Sequence, residues 1–249
     1  MSVEAPNPMP NRQPPRRPRA YYPPSRSYSH GFSDLLVRVG RVVKHGRETS
    51  LNRDAIIFYA GNLGILENRA VSIVGSRDVT RDGRQRAAEV ARELAMAGVT
   101  VVSGLAKGVD TTALTSAIAN GGRVAAVIGT SLDKAYPAEN AKLQRRIYAD
   151  HLLMTPFQVG RRALRSNVPV RNSMMTAITD ATVIIEAPDA SGVLHQAAEC
   201  VRQGRWLFIT NSVAQDRALT WPKKFLGRPK VDVFSSTEDI MNTMAMGNT

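Results

Sequence analysis

Residues 70–104 read AVSIVGSRDVTRDGRQRAAEVARELAMAGVTVVSG, and the order of residue types in this stretch decides the fold class. Ala70–Val74 is a short, unbroken apolar run, as expected of a strand covered on both faces. It ends at Gly75. Ala87, Val90, Ala91, Leu94 and Ala95 then recur at the spacing of one helical face, and Gly98 stops that helix. Val99–Val102 repeats the apolar run and ends at Ser103-Gly104. Two buried strands joined by a helix of this length form a parallel pair, since a tight hairpin serves only antiparallel neighbours.

The same alternation continues downstream. Asp110 is placed to cap a helix carrying Ala113, Leu114, Ala117 and Ile118, which breaks at Gly121-Gly122. Val124–Ile128 is a third strand and ends at Gly129. A helix near Asn140–Tyr148 precedes the apolar stretch Leu152–Met154. Ala181–Glu186 and Trp206–Thr210 are further strands, separated by a helix through Val193, Leu194, Ala197, Ala198 and Val201. Val231–Phe234 and a helix over Thr237–Met246 close the pattern. Right-handed crossovers arrange such units as a doubly wound, mostly parallel α/β sheet. Ligands bind such sheets beyond the carboxyl ends of the strands. Those ends are where the glycines fall.

Upstream the pattern changes. Residues 1–31 are rich in Pro, Arg, Ser and Tyr and poor in aliphatics, the composition of a disordered tail. Its arginines, interleaved with Tyr21, Tyr22 and Tyr28, suit contacts with phosphates and bases as well as a plain solvated extension. Residues 32–66 read as a lead-in: a helix through Phe32, Leu35, Leu36, Val39, Val42 and Val43 with Ser33 as N-cap, then a strand over Ala55–Tyr59 and a turn at Gly61-Asn62. Residues 67–249 form the nucleotide-type domain.

The net charge of +12 over 249 residues asks for an anionic partner. The tail holds five arginines (Arg12, Arg16, Arg17, Arg19, Arg26) against Glu4, so +8 belongs to the remainder. No 18-residue apolar run offers a membrane span, and the N-terminus lacks the apolar core of a secretory signal. Cys200 is the single cysteine. That excludes an intrachain disulfide and a multi-cysteine zinc site, and fits a reducing cytoplasm. No metal or cofactor is expected, and no residue is assigned a catalytic role.

Four turns carry the chemistry. Gly75-Ser76-Arg77 offers close backbone approach, amide donors and a bidentate cation for phosphate oxygens, although an ordinary strand-to-helix turn reads the same way. Ser103, Gly104, Lys107 and Gly108 form a second glycine-bearing turn; it lacks the GK[ST] ending of a Walker loop, and neither turn is a G-x-G-x-x-G dinucleotide fingerprint. The third is a basic stretch, Arg161, Arg162 and Arg165, leading to Pro169-Val170-Arg171-Asn172, whose four arginines suit a phosphate backbone, the plainer reading being a solvated loop. The fourth is Pro188-Asp189-Ala190-Ser191-Gly192, where Ser191 is a natural N-cap and the amides face an anion. Glu186 stands at a strand's carboxyl end, where catalytic and ribose-binding acids occur, and His195 reads as a helix-surface residue.

Taken in order, AGNLGILENRAVSIVGSR, SGLAKGVD, VIGTSLDKAYPAEN, PVRN, IIEAPDASG and WLFIT resemble the DNA-processing protein A (DprA, or Smf) family, over about Ile57 to Thr210. The resemblance implies an extended Rossmann-like domain of the DprA/LOG type that binds single-stranded DNA, usually as a homodimer. Members protect incoming strands and help load a RecA-type recombinase in transformation and recombination. It also implies that Gly75, Ser76, Arg77, Ser103, Gly104 and Lys107 hold phosphate, with Arg171 and Asn172 lining the same pocket.

The chain departs from the family pattern at Leu114, Met154-Thr155, Ser173, Gln196 and Thr210-Asn211, so a divergent member is expected. Two other readings stay open on the sequence. One is a LOG-like hydrolase of nucleotide N-glycosidic bonds, disfavoured because His195 stands where its catalytic glutamate would fall. The other is a sensor of a free nucleotide.

Overall fold

The computed structural model describes residues 21–41, 52 and 54–246. Within them the chain runs β1 (Tyr28–Gly31), α1 (Phe32–Arg38), β2 (Ile56–Gly61), β3 (Ala70–Val74), α2 (Arg81–Met96), β4 (Thr100–Ser103) and α3 (Val109–Ala119). It continues through β5 (Val124–Val127), α4 (Ala141–Asp150), β6 (Leu152–Thr155), α5 (Asn167–Ala177), β7 (Ala181–Ile184) and α6 (Val193–Gln203). The last elements are β8 (Trp206–Thr210), the short α7 (Asn211–Ala214), β9 (Val231–Phe234) and α8 (Thr237–Met246). One sheet takes the order β1-β2-β6-β5-β4-β3-β7-β8-β9. The seven strands from β6 to β9 are mutually parallel, while β2 lies antiparallel to β6 and β1 antiparallel to β2.

Side chains alternate across each strand, which divides the interior in two. Val71 and Ile73 of β3 and Val101 of β4 pack with Ala87, Val90, Leu94 and Leu114 of α2 and α3 on one face. Ala70, Val74 and Val102 turn to the other face and meet Met174, Ile178 and Cys200 of α5 and α6. A fully buried leucine such as Leu94 contributes about 1.5–3 kcal/mol relative to an exposed one. The apolar strand runs therefore follow from having helices on both sides.

Four expectations need correction. The first concerns the tail: Tyr28–Gly31 is a strand, not disordered chain. Its backbone pairs Tyr28 with Tyr59 and Gly31 with Ile56, and the Tyr28 and Tyr59 rings lie 5.4 Å apart. Composition carries no record of a sheet edge waiting to be paired. Tyr21 is also held, its hydroxyl donating to the Leu132 carbonyl at 3.0 Å and accepting from Gln144 at 2.8 Å.

Second, α1 begins one residue before Ser33, with Gly31 as N-cap, and ends at Arg38, with Val39 as C-cap. Gly40 follows with φ +67°. Val42, Val43 and the tail arginines Arg12, Arg16, Arg17 and Arg19 lie outside the described residues. Third, the strand expected over Ala55–Tyr59 is shifted to Ile56–Gly61. Fourth, the segment containing Arg171 is the helix α5 rather than a loop. Pro169 sits in its first turn, where the missing N–H has no helical acceptor to lose.

Candidate nucleic-acid interface

The chain builds β3, winds outward through β4, β5 and β6, and then returns to lay β7 on the other side of β3. At that reversal the loops after β3 and β7 part and leave a crevice at the carboxyl ends of the strands. A cleft of about 420 Å³ lies there, lined by Gly75, Ser76, Arg77, Asp78, Asp110, Arg171, Asn172, Ser191, Gly192 and Gln196, among others. A second hollow of about 500 Å³ shares Arg77, Ala106, Val168 and Arg171 with it, and adds Gly104, Lys107, Tyr136, Leu164 and Arg165. Together they form one groove with Arg77 and Arg171 at its waist.

Backbone contacts pin the loops together. The Ser76 amide donates to the Glu186 carbonyl at 2.6 Å, and the Val109 amide donates to the Ser76 carbonyl at 3.1 Å. Gly108 has φ +76°, and a Cβ there would come within 2.3 Å of the Ser76 oxygen. Only glycine lets the two turns approach so closely. The buried Asp110 carboxylate accepts from the amides of Gly104 (3.2 Å) and Ala106 (3.3 Å). It lies inside α3, so the N-cap position expected for it belongs to Gly108. Burial raises the Asp110 pKa, opposed chiefly by the charge of Arg171.

Arg171 is 8% exposed. Its guanidinium fills the space beside Gly104, where a Cβ would fall 1.7 Å from Nη1. Nη1 reaches only the Met175 sulfur at 3.9 Å, and Nε is buried without a partner. Burial pushes its pKa below the ordinary guanidinium range, with Asp110 pulling it back, yet arginine keeps its proton in proteins. Among the described residues no carboxylate forms an ion pair with it. Arg171 is thus a buried cation that lines both hollows, feels the charge of Asp110 and leaves its Nε without a hydrogen-bond partner among the described residues.

Several expected residues prove to have other tasks. Ser103 is fully buried, and its hydroxyl donates to the Ile73 carbonyl at 2.7 Å, so it braces the sheet. The Ser76 amide is spent on Glu186, leaving its side chain to face the cleft. Gly104 makes room for Arg171. Lys107 stands on the rim and pairs with Glu139 at 2.9 Å; both are more than half exposed, so the pair is worth about 1 kcal/mol at most and yields readily to a stronger anion. The Glu186 carboxylate accepts from the amide and hydroxyl of Thr80, the N-cap of α2. It is a brace for a helix start, not a free acid. Ser191 accepts from the Val193 amide at 3.1 Å, while Gly192 takes the N-cap position itself. Arg161 and Arg162 are exposed on the outer loop, Arg161 packing 5.3 Å from the Phe157 ring centre; only Arg165 of that trio reaches the groove. His195 is exposed, as expected.

The departures from the family pattern mostly point inward. Leu114 is core. Ser173 donates to Glu199 at 2.5 Å, and Gln196 donates to Thr176 at 2.8 Å, so both join a buried polar network between α5 and α6. Tyr136, 64% exposed, also lines the edge of the second hollow. A signal existed, since an aromatic beside Lys134 and Pro137 in a glycine-started loop suits base stacking.

Comparison with known proteins gives this geometry a lineage. The chain is 38% identical over 153 residues to the DNA processing protein DprA of Streptococcus pneumoniae, covering 61% of this chain and 54% of the relative. It thus spans about half the length of that curated relative. The X-ray structure of the same species' DprA superposes with a TM-score of 0.74 at 27% identity, over 88% of this chain and 74% of that one. The DNA processing protein A of Helicobacter pylori, described for its single-stranded DNA binding mode, shares the fold with a TM-score of 0.68 at 24% identity, over 77% and 87% of the two chains. A family model described as DNA recombination-mediator protein A matches residues 48–245. With that match covering well over half of the chain, the chain belongs to the DNA recombination-mediator protein A family.

Proposed function

We propose that this chain holds single-stranded DNA by its phosphate backbone and acts in DNA processing for uptake or recombination. The observation that carries the reading is Arg171, a buried guanidinium with no ion-pair partner among the described residues, at the waist of a groove that Arg77, Lys107 and Arg165 also line. A phosphate oxygen supplies the acceptor these donors lack. Two adjoining hollows that share Arg77 and Arg171 leave room beyond one phosphate, which suits a polymer more than a single nucleotide. Tyr136 and Leu164 on its rim offer apolar surface to bases without selecting among them. Family membership supports the same ligand, as does the Helicobacter pylori protein's described binding mode. Gly75, Ser76, Arg77, Lys107, Arg171, Asn172, Ser191 and Gly192 are proposed as the contact set. A homodimer and hand-over to a RecA-type recombinase belong to this reading on family grounds alone.

The test is fluorescence anisotropy of a labelled thymidine oligonucleotide against salt. For single strands log K falls by about 0.7 per log unit of salt for each phosphate neutralised. Arg77→Ala should weaken binding and make that slope shallower by about this amount, and Arg171→Gln should weaken it further. Binding that is indifferent to both substitutions, or a free mononucleotide that outcompetes the oligonucleotide, would overturn the reading.

A further inference from the structure

We propose a second anion site, for a phosphate group, at the opposite pole of the sheet from the groove. Arg69, Asp180, Arg205 and Lys230 immediately precede or lie just before the amino ends of β3, β7, β8 and β9, and with Arg41 and Trp206 they surround a cavity of about 260 Å³. The charges there do not balance. Arg41 and Asp180 neutralise each other through two hydrogen bonds, of 2.9 and 2.7 Å, and Asp180 also accepts from the Ala70 amide at 2.8 Å. Arg69, Arg205 and Lys230 remain as three cations lining one hollow, and Asp180, the only acid among its described lining residues, is already engaged.

Two further observations point to a ligand. Arg205 donates through Nη2 to the carbonyls of Arg41 and Ala177, but its Nε is buried with no partner. A buried donor left unsatisfied costs about 1–3 kcal/mol. Lys230 has φ +58°, a left-handed conformation that costs a non-glycine residue about 1–2 kcal/mol. The turn is held by the Leu207 amide, which donates to the Lys230 carbonyl at 2.8 Å. This strained backbone aims the ammonium across the Trp206 ring, 5.9 Å from its centre, at the mouth of the cavity. Strain held in place around a converging set of donors is what ligand sites display. An acceptor-only group that carries negative charge satisfies all three cations, and a phosphate does so with several oxygens. The volume lies just below the ~300 Å³ at which pockets for whole small molecules begin, so the site takes the phosphate and leaves whatever bears it outside.

Titration of the full-length protein with inorganic phosphate, followed by calorimetry, tests this independently of the DNA-binding reading. The pair Arg69→Gln and Lys230→Gln should weaken phosphate binding at one class of site about tenfold, while Arg77→Ala leaves that class intact. Lys230→Gly relieves the left-handed backbone while removing the cation, so its loss of phosphate binding would not reflect unfolding. Phosphate binding identical in the wild type and in these variants would overturn the site. The same variants with a thymidine oligonucleotide distinguish the source: unchanged affinity assigns the site to a free or nucleotide phosphate, whereas weaker binding with a shallower salt slope assigns it to the DNA backbone.

Discussion

At the scale of single residues, Gly104 and Arg171 act as a pair. The guanidinium occupies the space where any other residue at 104 would place its Cβ. Gly104→Ala should therefore displace Arg171 and weaken oligonucleotide binding by about tenfold or more, a loss of ~1.4 kcal/mol, read by anisotropy. Unchanged affinity would mean that the guanidinium is not the anion's partner. Cys200 gives a second residue-scale expectation. Burial pushes its thiol up to about 12, and the thiolate is the reactive form. The folded protein should resist a thiol reagent at neutral pH and react only on unfolding. Arg171 was legible from its neighbours in PVRN, since basic and amide side chains suggest phosphate. Its burial was not, because the helix that carries it has a weak apolar stripe and holds a proline in its first turn.

Between elements, α5 and α6 are joined by Ser173, Glu199, Arg202 and Gln203 as well as by apolar packing. Burial alone would raise the Glu199 pKa, but hydrogen bonds from Arg202, Ser173 and Gln203 outweigh it and hold the carboxyl below its ordinary value of 4.5. A carboxylate depressed on folding contributes stability above its unfolded pKa and loses it as pH falls through the folded one. The denaturation midpoint should therefore drop below about pH 4.5 more steeply in the wild type than in Glu199→Gln. At neutral pH the same substitution should cost about 1–3 kcal/mol, the range for disturbing buried hydrogen-bond partners. An equal acid slope in both proteins would remove Glu199 from this role. These residues carried a hint in the sequence only as departures from a family pattern. That they face each other is a property of two helices packed side by side.

Across the whole molecule, the lead-in is tied to the sheet by Arg41, 4% exposed, which reaches Asp180 and the carbonyls of Leu66 and Asn68. Removing one partner of a buried pair leaves the other without compensation, at about 3–5 kcal/mol. Arg41→Ala should lower the melting temperature by roughly 10 °C, with no comparable effect on the groove 's affinity; a shift of a degree or two would show that the lead-in docks by its apolar contacts alone. Apolar runs and helical stripes were enough to place the strands from β3 to β9 within a residue or two, because burial on both faces leaves a mark in every strand. The glycine-bearing ends marked the cleft at the carboxyl ends of the strands for the same reason: close approach of backbones admits few residue types. Only the tertiary structure decided that β1 joins the sheet, that Ser103 and Glu186 are braces, and that Arg171 lies buried beside Asp110. Each of these depends on which groups from distant parts of the chain meet. Local pattern records what a residue prefers, while its partner is set by the packing of the whole.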